Sequence, residues 1–177
     1  VIQNQNNMKH KIFITGGHLT PAQAVIQVID YNKWQVFYIG RKNALEGDSA
    51  LSQEWLLVRK LSAVTFLNLI TGRIQRTITQ YSIISLCKIP LGFIIGGYYI
   101  FRYRPQVILT FGGYVAIPIV FWAVLFRIPI VTHEQTRQIG LANRLITLFA
   151  RKVCIAWGDL LKNYPKNMEW KIRMWQF

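Results

Sequence analysis

Acidic residues are scarce in this chain: seven Asp and Glu stand against 21 Lys and Arg over 177 residues, a formal charge of +14. Such an imbalance favours an anionic partner, whether phosphate, nucleic acid or an acidic lipid surface. Cysteine is nearly missing. Cys87 and Cys154 lie far apart in apolar surroundings without metal-ligand spacing, so they are expected to be buried free thiols of a reducing compartment. The polar opening VIQNQNNMKHK has no apolar core of the kind a secretion signal needs, and Met8 is a candidate initiator just ahead of the first structured run. No low-complexity linker or internal repeat divides the chain. The G-x-G-x-x-G dinucleotide fingerprint is absent, and no Walker lysine follows a glycine loop, so nicotinamide, flavin and P-loop chemistry are not indicated. No metal and no cofactor are expected. No nucleic-acid motif or stacking platform is evident either, which argues against a nucleic-acid partner.

What is present is a chain 52% hydrophobic, long enough to bury one ordinary core. Short apolar runs alternate with helical patterns, as in a parallel α/β sheet with helices on both faces. KIFIT (11–15), QVFYIG (35–40), QVILTF (106–111), IPIVTHE (128–134) and KVCIAW (152–157) are the strand candidates. Between the first two, Thr20 is placed to cap a helix opening at Pro21, and Ala22, Val25, Ile26 and Ile29 recur at helical spacing. A second helix is expected over VAIPIVFWAVLF, with Pro118 tolerated near its first turn. A third, GLANRLITLFA, sets Leu141, Leu145 and Leu148 along one side. The segment 83–101 carries a single charge in 19 residues, close to the ~20 that cross a bilayer. Lys88, Pro90 and three glycines weigh against a clean span, while flanking Arg73, Arg76, Arg102 and Arg104 suit a membrane-surface segment. Membrane contact, ordinary core packing and a span all remain open for it.

The stretch ITGGHLTPAQA (14–24) joins a strand end, two glycines, a histidine and a helix start. Bare backbone N–H groups at a positive helix end form an anion site. Gly112 and Gly113 repeat the arrangement after ILTF, before Tyr114 and another helix, and a third strand ends in His133, Glu134 and Gln135. In a parallel sheet all three ends lie on one edge, where α/β proteins bind ligands. Each feature alone has a plainer reading. A Gly-Gly pair is commonly a tight turn, His18 can cap its helix, and His133 with Glu134 can tie a loop down. Their recurrence at three strand ends favours a site.

TGGHLTPAQAV, FGGYVAIPIV and IPIVTHEQTRQIGLANRLITLFA, in order from Lys11 to about Trp157, resemble the N-terminal domain of the MurG-type enzymes of glycosyltransferase family 28. GRKNALEGDSALS and TGRIQR are similar to a compact bacterial branch of that family. The resemblance implies the N-terminal half of a GT-B fold: an acceptor-binding Rossmann-like domain over 11–160, a disordered segment or extension over 1–10, a truncated linker over 161–177, and a donor domain beyond this chain or in a separate subunit. It implies transfer of N-acetylglucosamine from UDP-N-acetylglucosamine to undecaprenyl-pyrophosphoryl-N-acetylmuramoyl pentapeptide, in peptidoglycan synthesis at the cytoplasmic face of the membrane. Gly16, Gly17, Gly112, Gly113 and Tyr114 would line the acceptor pyrophosphate site, and Thr15, Gly16, Gly17 and Thr136 would touch the donor. His133, Gln135 and Asn143 match further family positions. The reaction inverts the anomeric centre, and His18 is the candidate base, with Glu134 or a water as the alternative. By this resemblance the chain alone is expected to be inactive, and no metal or cofactor enters.

Two departures qualify the resemblance. The first motif is shorter than the family's Gly-Gly-Thr-Gly-Gly-His, and Thr136 stands where an asparagine commonly follows His-Glu-Gln. A noncatalytic module binding lipid pyrophosphate, or one subunit of a two-chain transferase, remains the alternative.

Overall fold

A computed structural model describes residues 9–44, 50–72, 80–164, 166, 168 and 172–174. Met8, Arg73 and Arg76 lie outside them. Seven strands form one sheet: β1 (His10–Thr15), β2 (Trp34–Gly40), β3 (Val64–Asn68), β4 (Val107–Thr110), β5 (Ile130–Glu134), β6 (Lys152–Ile155) and β7 (Ile172–Met174). Their order is β3-β2-β1-β4-β5-β6-β7, and every pairing is parallel. The five expected strands are all present. Two more, β3 and β7, complete the sheet, and β7 comes from the segment expected to be linker.

Period-two alternation explains why the sheet is covered on both sides. On β1, Ile12 and Ile14 point into a core with Ala22 and Ile26 of helix α1 (Leu19–Val28) and Val58 of α2 (Gln53–Val58). Phe13 points the other way, into the larger core with Ile100 of α3 (Gln80–Tyr103), Ile119 and Val120 of α4 (Ala116–Leu125) and Ile146 of α5 (Leu141–Phe149). Strands buried on both faces read as continuous apolar runs, which is why FIT and VFYIG carry no polar alternation.

Several expectations change in detail. Helix α1 begins at Leu19, with His18 rather than Thr20 at the cap position, and no side chain caps it. Pro118 does sit in the first turn of α4, where its missing N–H breaks no helical bond. The Leu141, Leu145 and Leu148 side of α5 faces outward, and the buried side is Asn143, Ile146 and Thr147. Cys87 is exposed and Cys154 half-buried, both free, so the expectation of two buried thiols fails for Cys87. Its position on the outer side of α3 keeps it from the core. The 83–101 segment belongs to a 24-residue helix containing Pro90. Among the described residues no helix is long and apolar enough to cross a membrane.

Candidate functional site

The strand order reverses between β1 and β4: from β1 the chain winds outward to β2 and β3, then returns to β4 and winds the other way. A crevice opens at the carboxyl ends of strands flanking such a reversal, because the following helices leave on opposite faces. Both Gly-Gly pairs sit there. Gly16 and Gly17 follow β1 and enter α1, while Gly112 and Gly113 follow β4 and enter α4.

The two turns touch. A Cβ on Gly17 would lie 2.5 Å from the Gly112 carbonyl oxygen and 2.6 Å from that of Phe111, distances no side chain tolerates. A Cβ on Gly113 would lie 3.2 Å from the Gly17 Cα. Two glycine backbones thus line one crevice, each at a helix N-terminus carrying partial positive charge. Gly16 is buried and its N–H donates to the Ile39 carbonyl at 2.8 Å, which binds the first turn to β2.

The neighbouring strand end adds a buried carboxylate. Glu134, the last residue of β5, is only 1% exposed. Its Oε1 accepts the Thr136 backbone N–H at 2.9 Å and the Thr136 hydroxyl at 2.6 Å, and its Oε2 accepts Asn143 Nδ2 at 2.6 Å. Asn143 also packs against the second glycine turn, for a Cβ on Gly112 would meet its Oδ1 at 2.0 Å. Glu134 therefore joins β5, the following loop, α5 and the β4 turn into one corner. The Thr136 hydroxyl is committed to that corner, and the Gln135 carbonyl accepts Trp157 Nε1 at 2.9 Å. His133 is buried with its ring 5.6 Å from that of Phe111. Burial holds its pKa below the usual histidine value, nearby His18 adds to this, and Glu134 opposes it. His18 is half-buried at the start of α1, and Thr15 is fully buried beneath the first turn.

Two residues at this edge have no role assigned from sequence, although Arg41 falls within GRKNALEGDSALS. Arg41 follows Gly40 at the end of β2, and its guanidinium carbon lies 5.2 Å over the Tyr114 ring. Glu54 on α2 sends its carboxylate under the first turn: a Cβ on Gly16 would lie 2.6 Å from its Oε1, and one on Gly40 2.5 Å from its Oε2. It accepts the Arg41 backbone N–H at 3.4 Å. Burial raises its pKa, while hydrogen bonds from the Arg41 and Gly17 backbones and the Arg41 charge oppose the rise. The available signal was topological. Every strand of a parallel sheet ends at the same edge, so the residue after QVFYIG had to lie beside the glycine turns. Among the described residues no group of His, Cys, Asp or Glu is arranged to hold a metal.

A parallel sheet wound in both directions, with its reversal crevice between two glycine turns, defines a Rossmann-like ligand-binding domain. The chain belongs to glycosyltransferase family 28: the model of that family's N-terminal domain matches residues 15–155. It is 33% identical over 155 residues to the UDP-N-acetylglucosamine–N-acetylmuramyl-(pentapeptide) pyrophosphoryl-undecaprenol N-acetylglucosamine transferase of Legionella pneumophila, covering 88% of this chain and 40% of that protein. The transferase of the same name from Clostridium tetani is 30% identical over 164 residues, covering 90% and 43%. This chain therefore spans well under half the length of these curated relatives. Among solved structures, Acinetobacter baumannii MurG superimposes with a TM-score of 0.64 at 24% identity, over 89% of this chain and 43% of that one. A UDP-GlcNAc 2-epimerase from Neisseria meningitidis reaches 0.59 at 13% identity, covering 93% and 45%, a likeness of fold alone.

Proposed function

We propose that residues 11–160 form the acceptor-binding half of an inverting N-acetylglucosaminyltransferase. The acceptor would be undecaprenyl-pyrophosphoryl-N-acetylmuramoyl pentapeptide, and UDP-N-acetylglucosamine would be bound mainly by a donor domain outside this chain. The observation that carries this reading is the contact between the Gly17 and Gly112–Gly113 turns at the sheet's reversal point. Two helix N-termini and their bare amides oppose the charge of a pyrophosphate there. The family relationship supplies the sugar chemistry.

In this reading the acceptor sugar hydroxyl attacks C1 of the donor sugar from the face opposite UDP, which leaves with the bonding electron pair. His18 takes the hydroxyl proton, since it stands half-exposed at the crevice where α1 begins. Glu134 is the weaker choice of base, because both its oxygens already accept protein donors. We assign it instead to holding the β5–α5 corner. Gly16, Gly17, Gly112, Gly113 and Tyr114 line the pyrophosphate site, and Gly17 and Thr136 are the exposed residues that would face the donor across the cleft, with Thr15 buried behind the first turn. The test joins this chain to a donor domain of a family relative, covalently or by coexpression, and follows N-acetylglucosamine transfer to the lipid-linked acceptor. Transfer that depends on His18 is expected. A well-folded pair that transfers nothing would leave the noncatalytic lipid-pyrophosphate module as the better reading.

Membrane docking follows from a second observation. On α3, Ile94, Tyr98 and Phe101 recur three or four residues apart, with Leu86 eight residues before Ile94, and all face outward, Ile94 being 68% exposed. Phe121 and Leu125 of α4 and Phe126 just after it continue the patch, with Phe93 against Phe121 and Phe101 against Phe126 at ring distances of 5.2 and 4.9 Å. The two helices are drawn together where Gly97 leaves room for Trp122, whose Nε1 donates to the Phe93 carbonyl at 2.7 Å. Exposed Arg102, Arg104 and Arg127 rim the patch. An apolar face with a basic rim fits the anionic inner leaflet, where each arginine near the surface contributes about 1 kcal/mol. The chain is expected to float with vesicles containing phosphatidylglycerol, and Ile94→Glu with Phe101→Glu is expected to abolish flotation. Unchanged flotation of that variant would exclude this face.

A further inference from the structure

Arg41 combines three features that nothing in the glycine motifs accounts for. It leaves β2 at the edge where both glycine turns sit, and the Gly16 N–H is bonded to the β2 backbone two residues before it. Its guanidinium lies over the ring of Tyr114, the residue that follows Gly113. Its backbone is fastened from below by Glu54, which also lies against Gly16 and Gly40. The strand end, the first glycine turn and the second glycine turn are thereby tied to one another through Glu54, Arg41 and Tyr114.

The Glu54 carboxylate lies beneath the turn on the protein side, where it holds the Arg41 backbone. Among the described residues the ion pair is Lys33–Asp30, at the opposite end of β2, and no carboxylate lies within ion-pair distance of the Arg41 guanidinium. One N–H of its fork goes to the Ala44 carbonyl at 3.0 Å. A guanidinium carries five N–H donors in a planar fork that matches two phosphate oxygens at once. Glycine amides and helix ends supply only partial charges, so an anion bearing two or more full charges is incompletely countered by them.

We infer that Arg41 is a phosphoanhydride-binding residue of this site, its guanidinium pairing with a diphosphate seated on the two glycine turns while Tyr114 supports its planar face. This rests on the anion-site reading above and deepens it. The ligand chemistry is a diphosphate ester or free diphosphate. Tyr114 then serves as the platform that aims the fork, and Glu54 as the positioning residue that fixes the strand end from which the fork reaches. A purely structural Arg41, closing the turn toward Ala44, would give the protein stability and no ligand dependence.

The test uses the 177-residue chain with two probes, inorganic pyrophosphate and farnesyl diphosphate, by calorimetry at fixed salt. Arg41→Gln is expected to weaken both by about tenfold or more, as loss of a charged hydrogen-bonding partner does. Arg41→Lys should fall between, keeping the charge and losing the fork. Lys42→Gln removes the same charge from the next residue, whose ammonium lies over the Trp55 ring, and should stay within about twofold if only the long-range field is involved. Equal losses for Arg41→Gln and Lys42→Gln would overturn the proposal, as would a loss confined to farnesyl diphosphate. The probe bound more tightly by the wild type tells whether a lipid-linked or a soluble diphosphate is the natural source. A second measurement needs no variant: saturating pyrophosphate should slow butanedione modification of Arg41 and leave that of exposed Arg144 unchanged, read by mass spectrometry. An unchanged Arg41 rate would overturn the assignment. Wild-type protein that binds neither probe would instead remove the anion site itself.

Discussion

Replacing Asn143 with leucine is expected to lower the unfolding free energy by about 3–5 kcal/mol, measured by urea denaturation. Glu134 is buried in the corner between β5 and α5, and Asn143 Nδ2 is the donor to its Oε2 at 2.6 Å. Leucine fills a similar volume and donates nothing, so a desolvated carboxylate oxygen loses its partner. That loss outweighs the apolar area gained, because an uncompensated buried charge costs more than one side chain's burial returns. The remaining donors, the Thr136 N–H and hydroxyl, both reach Oε1 and cannot cover Oε2. Adding Glu134→Gln to the leucine variant should recover about 1–2 kcal/mol, since a neutral amide tolerates burial better than a charge. The two substitutions must then be non-additive, as expected of residues in direct contact. A loss under about 1 kcal/mol for Asn143→Leu would mean that the carboxylate does not depend on this donor.

This corner also shows how far the sequence could be read. The expected strands appear at their places within a residue or two because β1, β2, β4, β5 and β6 are apolar on both faces, and such runs stand out against polar loops. β3 and β7 are outer strands of the sheet, with exposed Thr65 and Arg173 interrupting the pattern, and β7 has only three residues. The helix α5 misleads for a related reason. Its buried face includes Asn143, whose Nδ2 donates to Glu134, and Thr147, whose hydroxyl donates to the Asn143 carbonyl at 2.7 Å. A hydrophobic stripe therefore marks its outer side. The candidate site was legible where glycine, histidine and acid recur at strand ends. Arg41 and Glu54 were not, because a lone cation and a lone acid have no spacing signature, and the fold alone brings them beside Gly16 and Tyr114.

A series of glycine-to-alanine changes separates backbone strain from contact at the second turn, and Gly112→Ala is expected to cost roughly 3 kcal/mol or more in the same urea assay. Gly112 has φ near +80°, a conformation that a side chain disfavours, and its Cβ would overlap Asn143 with Oδ1 at 2.0 Å and Cγ at 2.6 Å. Asn143 cannot swing clear without releasing Glu134, so the collision falls on the whole corner. Gly113 shares the strain, with φ near +76°, yet its Cβ would meet only the Gly17 Cα at 3.2 Å and the Gly16 carbonyl at 3.9 Å. Gly113→Ala should therefore cost about 1–2 kcal/mol. Gly140, with nothing within 4 Å of a Cβ and φ of −66°, should change stability by less than about 0.5 kcal/mol on becoming alanine, because the entropy removed from the unfolded chain is offset by alanine's poorer fit to the N-cap of α5. Equal costs at 112 and 113 would show that strain alone sets the penalty and that Asn143 yields freely. Unequal costs in the expected order would mean that the glycine turn is held rigid from behind by Asn143 and Glu134. Rigidity there keeps the turn's amides fixed before a ligand arrives, so binding would lose less free energy to ordering the loop.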